Sequence, residues 1–151
     1  RSWLPPHARP SPSLPLACAP SDPPTGRGGY GNAGHMPPAV RRRNGTFERL
    51  TGGGVALGMF ELSRYEAHEA TLEPGDTLVL YSDGVTEAEN HQGQPFEESG
   101  LERIVDVHAG SSPFDLAKTI LRVVETHAQE TCLADDLTVL VVKRKDRPTS
   151  S

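Results

Sequence analysis

The chain has 151 residues, a formal charge of −5 and 35% hydrophobic residues, which suits one ordinary domain. Its acidic balance lacks the basic footprint of a nucleic-acid binder, and no apolar stretch approaches the ~20 residues that a membrane helix needs. Cys18 and Cys132 form no CxxC pair and no zinc spacing, so no disulfide framework is expected and a reducing, cytoplasmic setting fits.

The chain starts with Arg rather than Met, which reads as a fragment or a processed product, and no signal-peptide pattern follows. Eight of the 14 prolines lie in residues 1–24. Residues 1–21 therefore read as Pro-rich and irregular, residues 22–145 as the domain, and 146–151 as a disordered tail. Asn44-Gly45 signals a two-residue hairpin turn that pairs 39–43 with 46–50. Residues 51–54, with three glycines, read as a loop, and 65–72 as a strand. Pro74-Gly75 suits a type II turn. The apolar run at 77–82 is continuous, as expected of a strand buried on both faces. Leu101, Ile104, Val105 and His108 fall on one helical stripe. Ser112-Pro113-Phe114-Asp115 is a helix start whose apolar face runs through Leu116, Ala117, Ile120, Val123 and Val124 to about Ala128. A last strand spans 137–143. Strands, two helices and a strand make an α+β fold, mainly antiparallel, with helices on at least one face.

Two aspartate clusters abut these strands. Thr77-Leu78-Val79-Leu80-Tyr81 runs into Asp83-Gly84, and Leu137-Thr138-Val139-Leu140-Val141-Val142 runs away from Asp135-Asp136. Carboxylates that converge from two strand ends repel unless a cation lies between them, and oxygen-only donors suit Mg²⁺ or Mn²⁺. Such an ion keeps waters, acidifies them and neutralises charge at phosphorus, so phosphate-monoester hydrolysis is the natural chemistry. Gly84, lacking a side chain, leaves room for backbone and solvent beside Asp83. The plainer alternative makes Asp83-Gly84 a strand-ending turn and Asp135 a connector.

The segment Tyr30-Gly31-Asn32-Ala33-Gly34-His35-Met36-Pro37-Pro38 resembles the Y-x-N-A-G-H-x-P-P segment of bacterial PPM-type serine/threonine phosphatases of the SpoIIE-like branch. Asp22-Pro23-Pro24-Thr25-Gly26-Arg27, Leu57-Gly58, Leu72-Glu73-Pro74-Gly75-Asp76, Leu80–Ala88 and Asp135-Asp136-Leu137-Thr138 follow in that branch's order and spacing. The resemblance implies part of an αββα sandwich with a two-metal centre, Mn²⁺ or Mg²⁺. It implies metal ligands at Asp83 and Asp135, and a lesser one at Asp136, where distant relatives often carry Asn. Gly84 is implied beside the metal and His35 in the pocket. The catalytic nucleophile is then a metal-activated water, not a side chain. The implied substrate is a phosphorylated regulatory protein such as an anti-anti-sigma factor, with a sensor domain upstream in a longer parent.

One departure matters. Family members carry an early G-G-D-[FW]-x-D strand and a G-H-G segment, whereas here Asp22 is the only acid before Glu48 and is followed by Pro23. The chain is therefore expected to lack the N-terminal part of the catalytic domain, to hold an incomplete metal centre, and to leave apolar faces of 39–43 and 77–82 uncovered. Two functions follow: an incomplete metal-dependent protein phosphatase, or a catalytically inactive remnant that acts as a regulatory binding module. Other motifs carry less. Tyr81 occupies the place of the nucleophilic Asp in a haloacid-dehalogenase-like D-x-D-G-T motif, and Gly52-Gly53-Gly54 lacks the Lys of a P-loop. Arg41-Arg42-Arg43 reads as a solvated, charge-protected strand edge, His108 and His127 as ordinary packing or surface residues, and Ser82 as having no base with which to act as a nucleophile.

Overall fold

A computed structural model describes residues 17–22, 25–33, 36–51, 53–54, 68–128 and 136–145. Along the chain these form β1 (Ala17–Asp22), β2 (Arg27–Ala33), β3 (Ala39–Arg41), β4 (Phe47–Arg49), β5 (Gly53–Gly54), β6 (His68–Thr71), β7 (Thr77–Tyr81), α1 (Asp83–Glu87), α2 (Glu97–Val107), α3 (Pro113–Ala128) and β8 (Val139–Lys143). They build two four-stranded sheets. In the first, β2 pairs antiparallel with β1 and β6 and parallel with β5. In the second, the order is β4-β3-β7-β8, antiparallel throughout.

The run at 77–82 is apolar from Leu78 to Tyr81 because its two faces meet different layers. Val79 and Tyr81, with Ala39 of β3, face the helices, where Val85, Leu101, Val105, Leu116, Ile120 and Val124 complete one buried cluster. Leu78, with Val40 and Leu50, faces the other way, and Ala70 of β6 and Leu72, just after that strand, pack against it. The layers are helices, second sheet, first sheet. This is an α+β arrangement that accounts for three layers of an αββα sandwich.

Both turns follow from glycine. Gly75 at φ 91° follows Pro74, and the Asp76 N–H closes the turn on the Glu73 carbonyl at 2.9 Å, as a type II turn requires. Gly45 at φ 88° ends the β3–β4 connection. That connection has three residues, 43–45, rather than the two expected. The Arg42 N–H donates to the Thr46 carbonyl at 2.8 Å and the Gly45 N–H to the Arg42 carbonyl at 2.9 Å. Only Gly45 of the Asn44-Gly45 pair takes positive φ, so the mirror-image two-residue turn does not form.

Other expectations are corrected. The segment 1–21 ends in a strand, since β1 begins at Ala17 and pairs with β2. Gly53 and Gly54 are not loop but a short parallel strand against Asn32 and Ala33. A third helix, the five-residue α1, precedes the two expected. The arginine run is not a solvated edge, because β3 lies between β4 and β7. Arg41 pairs with Asp106 of α2 at 2.7 Å and Arg42 with Asp76 at 2.7 Å, and Arg42 also pairs with Glu48. Val40 and Leu78 are buried, and the exposed large apolar side chains among the described residues are Val107, Phe114, Leu140 and Val142, the last two on β8. Leu57-Gly58 of the motif order, and residues 65–67 of the strand expected at 65–72, lie outside the described residues.

Candidate metal centre

Strand β7 delivers the site. Its register with β8 runs from Thr77↔Lys143 to Tyr81↔Val139, so Ser82 comes opposite Thr138 as the ladder ends. The Ser82 N–H donates to the Thr138 carbonyl at 3.0 Å. A regular ladder would return the Thr138 N–H to the Ser82 carbonyl. Instead that N–H donates to the Ser82 hydroxyl oxygen at 3.0 Å, and the hydroxyl donates to the Asp136 carbonyl at 2.8 Å. The Ser82 carbonyl is thereby released to accept the Val85 N–H at 3.0 Å, the first bond of the α1 turn. Asp83, the first residue of α1, and Asp136, three residues before β8, thus stand on backbone that Ser82 ties together.

Asp83 is exposed at the first position of α1, and one of its oxygens accepts the Gly84 N–H at 3.0 Å. Asp136 is exposed as well. No arginine, lysine or histidine ion pair holds either carboxylate among the described residues. Two solvent-facing carboxylates without cationic partners fit a hard divalent ion that keeps several waters. Gly84 is buried in the first turn of α1. There its N–H donates to Asp83.

Asp135 and His35 lie outside the described residues. Among the described residues no three His, Cys, Asp or Glu side chains gather as a metal-holding group. The described structure ties the backbone of Asp83 and Gly84 to that of Asp136 through Ser82. A cavity of about 460 Å³ is lined by Arg42, Glu48, Arg49, Leu50 and Glu69 among others, and by none of the expected site residues. Its arginines are already committed to carboxylates.

Sequence reasoning missed two groups near the site. One is Ser82, whose only signal was its place between an apolar run and Asp-Gly. The other lies behind it. Tyr81, buried against the helices, accepts a hydrogen bond from Arg49 Nη1 at 2.7 Å. Arg49 also pairs with Glu98 at 3.1 Å and Glu102 at 2.5 Å of α2. Burial pushes the Tyr81 hydroxyl up from 10 to about 12; the Arg49 charge opposes this and Glu98 adds to it. The network pins α2 to the strand two residues before Asp83.

The Stage II sporulation protein E (SpoIIE) family model matches residues 10–145. Phosphoserine phosphatase RsbU of Bacillus subtilis is 34% identical over 117 residues, which are 77% of this chain and 34% of RsbU. The chain thus spans about a third of that relative's length. The manganese-presoaked phosphatase domain of SpoIIE from Bacillus subtilis superposes with a TM-score of 0.69 at 19% identity, over 89% of this chain and 57% of that one. The catalytic domain of the serine/threonine phosphatase PstP, in complex with two manganese ions, gives a TM-score of 0.56 at 14% identity, over 80% of this chain and 55% of that one. At those identities both structures speak to the fold alone, and they share it. With a family model matched along nearly its whole length, this chain belongs to the SpoIIE family of PPM-type phosphatases.

Proposed function

We propose that the chain forms the C-terminal part of a metal-dependent protein-serine/threonine phosphatase. The observation that carries this reading is the pair of carboxylates, Asp83 and Asp136, that form no ion pair among the described residues and stand on backbone joined through Ser82. Asp135 is proposed as a further ligand and His35 as a pocket residue. Mn²⁺ or Mg²⁺ is the cofactor suited to these oxygen donors. When bound, the ion supplies an acidified water and charge neutralisation at phosphorus. The protein's part is to hold carboxylates at fixed separation, with the Gly84 N–H orienting one oxygen of Asp83.

The proposed substrate is phosphoserine or phosphothreonine on a regulatory protein, such as an anti-anti-sigma factor. RsbU, described as a phosphoserine phosphatase, supports that class. No described helix is long and apolar enough to cross a membrane, and a cytoplasmic setting with a sensor domain elsewhere in a longer parent completes the proposal. A second reading, a non-catalytic binding module, draws support from the sequence itself. Asp22 is the only acid before Glu48 in the residues given, and Pro23 rather than Gly follows it.

Hydrolysis of p-nitrophenyl phosphate by the purified chain, with and without millimolar Mn²⁺, separates the two. Weak, Mn²⁺-dependent turnover that Asp83→Asn abolishes is the expected outcome. A folded chain with no turnover under any metal leaves the binding-module reading.

A further inference from the structure

From this geometry we infer that Ser82 is the positioning residue of the carboxylate pair: its hydroxyl sets the separation of Asp83 and Asp136 and, through it, the affinity for a divalent ion. The inference rests on the metal-site reading above and adds to it a residue that contributes no ligand.

Strand β7 must do two incompatible things at residue 82. To stay paired with β8, its carbonyl should accept the Thr138 N–H. To start α1, the same carbonyl must accept from within the helix, as it does from the Val85 N–H at 3.0 Å. A hydroxyl at this one position resolves the conflict. It accepts the Thr138 N–H in place of the carbonyl and donates to the Asp136 carbonyl. Ser82 has extended backbone, φ −79° and ψ 158°, which a β-branched residue also adopts. The hydroxyl therefore holds the peptide of Asp136 directly while its own backbone continues into Asp83. Nothing else in the described structure hydrogen-bonds across this point except the Ser82 N–H to Thr138 carbonyl bond. Without the hydroxyl, the Thr138 N–H and the Asp136 carbonyl lose their partner and turn to water, and the two carboxylates are no longer held in register.

The test is Mn²⁺ binding to the whole chain, read from the free-ion electron paramagnetic resonance signal, for wild type, Ser82→Ala, Ser82→Thr and Asp83→Asn. Each is measured below its own unfolding midpoint. Loss of a group that orients a ligand typically weakens metal affinity by about 10–100-fold, and that loss is expected for Ser82→Ala. Ser82→Thr keeps the hydroxyl and is expected to bind like wild type, a rescue that general loosening of the fold does not produce. Should Ser82→Ala not fold, Ser82→Cys replaces it, since a thiol is a weak donor and a weak acceptor; the same loss is expected. Equal affinity in wild type and in the folded Ala or Cys variant, with Asp83→Asn impaired, overturns the role of Ser82 and leaves the metal site standing. A wild-type chain that takes up no Mn²⁺, or takes up no more than Asp83→Asn does, overturns both.

Discussion

Two residues show how much of the structure hangs on groups outside the carboxylate pair. Asp76 is buried, and its oxygens accept from Arg42 Nη1 at 2.7 Å, the Arg43 N–H at 2.9 Å and the Glu73 N–H at 2.9 Å. One carboxylate thus joins the β3–β4 connection to the turn before β7. Burial alone would weaken the Arg42 charge, but its bonds to Asp76 and Glu48 outweigh that and raise its pKa. Removing one partner of a buried, hydrogen-bonded pair is expected to cost about 3 kcal/mol or more. Asp76→Ala should show that loss in urea unfolding, with or without metal. Tyr81 makes a prediction with a sign. Its hydroxyl is raised from 10 to about 12 in the folded chain, so the folded state keeps the proton that the unfolded state releases. Its contribution is whole below pH 10 and is lost as the pH rises from 10 to 12. Tyr81→Phe should cost about 1 kcal/mol at neutral pH and should narrow that gap to wild type across the alkaline window, as thermal melts will show. Asp83, Asp135 and Asp136 drew notice in the sequence because each cluster abuts an apolar run. The work of Ser82, Arg49 and Asp76 was not, since each depends on a partner far away in the chain.

Among the elements, α3 was the most legible. Ser112 caps it, accepting the Asp115 N–H at 3.1 Å and donating to the Asp115 carboxylate at 2.6 Å, as the Ser-Pro-x-Asp start foretold. Its buried residues Leu116, Ile120 and Val124 belong to the expected stripe. β8 was legible as a strand but not in its surroundings. Its residues alternate between half-buried and exposed, and Leu140 remains 54% exposed. The register sets Leu140 opposite Leu80 and Val142 opposite Leu78, so the exposed side chains continue the face that Val40, Leu50 and Leu78 bury. The contrast can be measured. Ile120→Ala, at a fully buried site, is expected to destabilise by about 2–5 kcal/mol. Leu140→Ser should stay within about 0.5 kcal/mol of wild type and should raise solubility, because an uncovered apolar row favours association. Equal losses in chemical denaturation would show that β8 is covered in solution.

For the molecule as a whole, family and fold agree on part of a PPM sandwich, and the chain spans about a third of the length of RsbU. Periodicity, capping and turn chemistry act within a few residues, so the sequence by itself determined the two long helices, the Pro74-Gly75 turn, the β3–β4 hairpin and the strand identity of 77–81. Its motif order determined the family. Sheet order, the inward turn of Arg41 and Arg42, the pairing of Gly53-Gly54 with β2, and the hydroxyl bridge from Ser82 to Thr138 and Asp136 were decided only in three dimensions. Each joins residues separated by at least five positions, and most by more than twenty, so no local pattern records them. They arise where buried polar groups must find partners once the layers have packed.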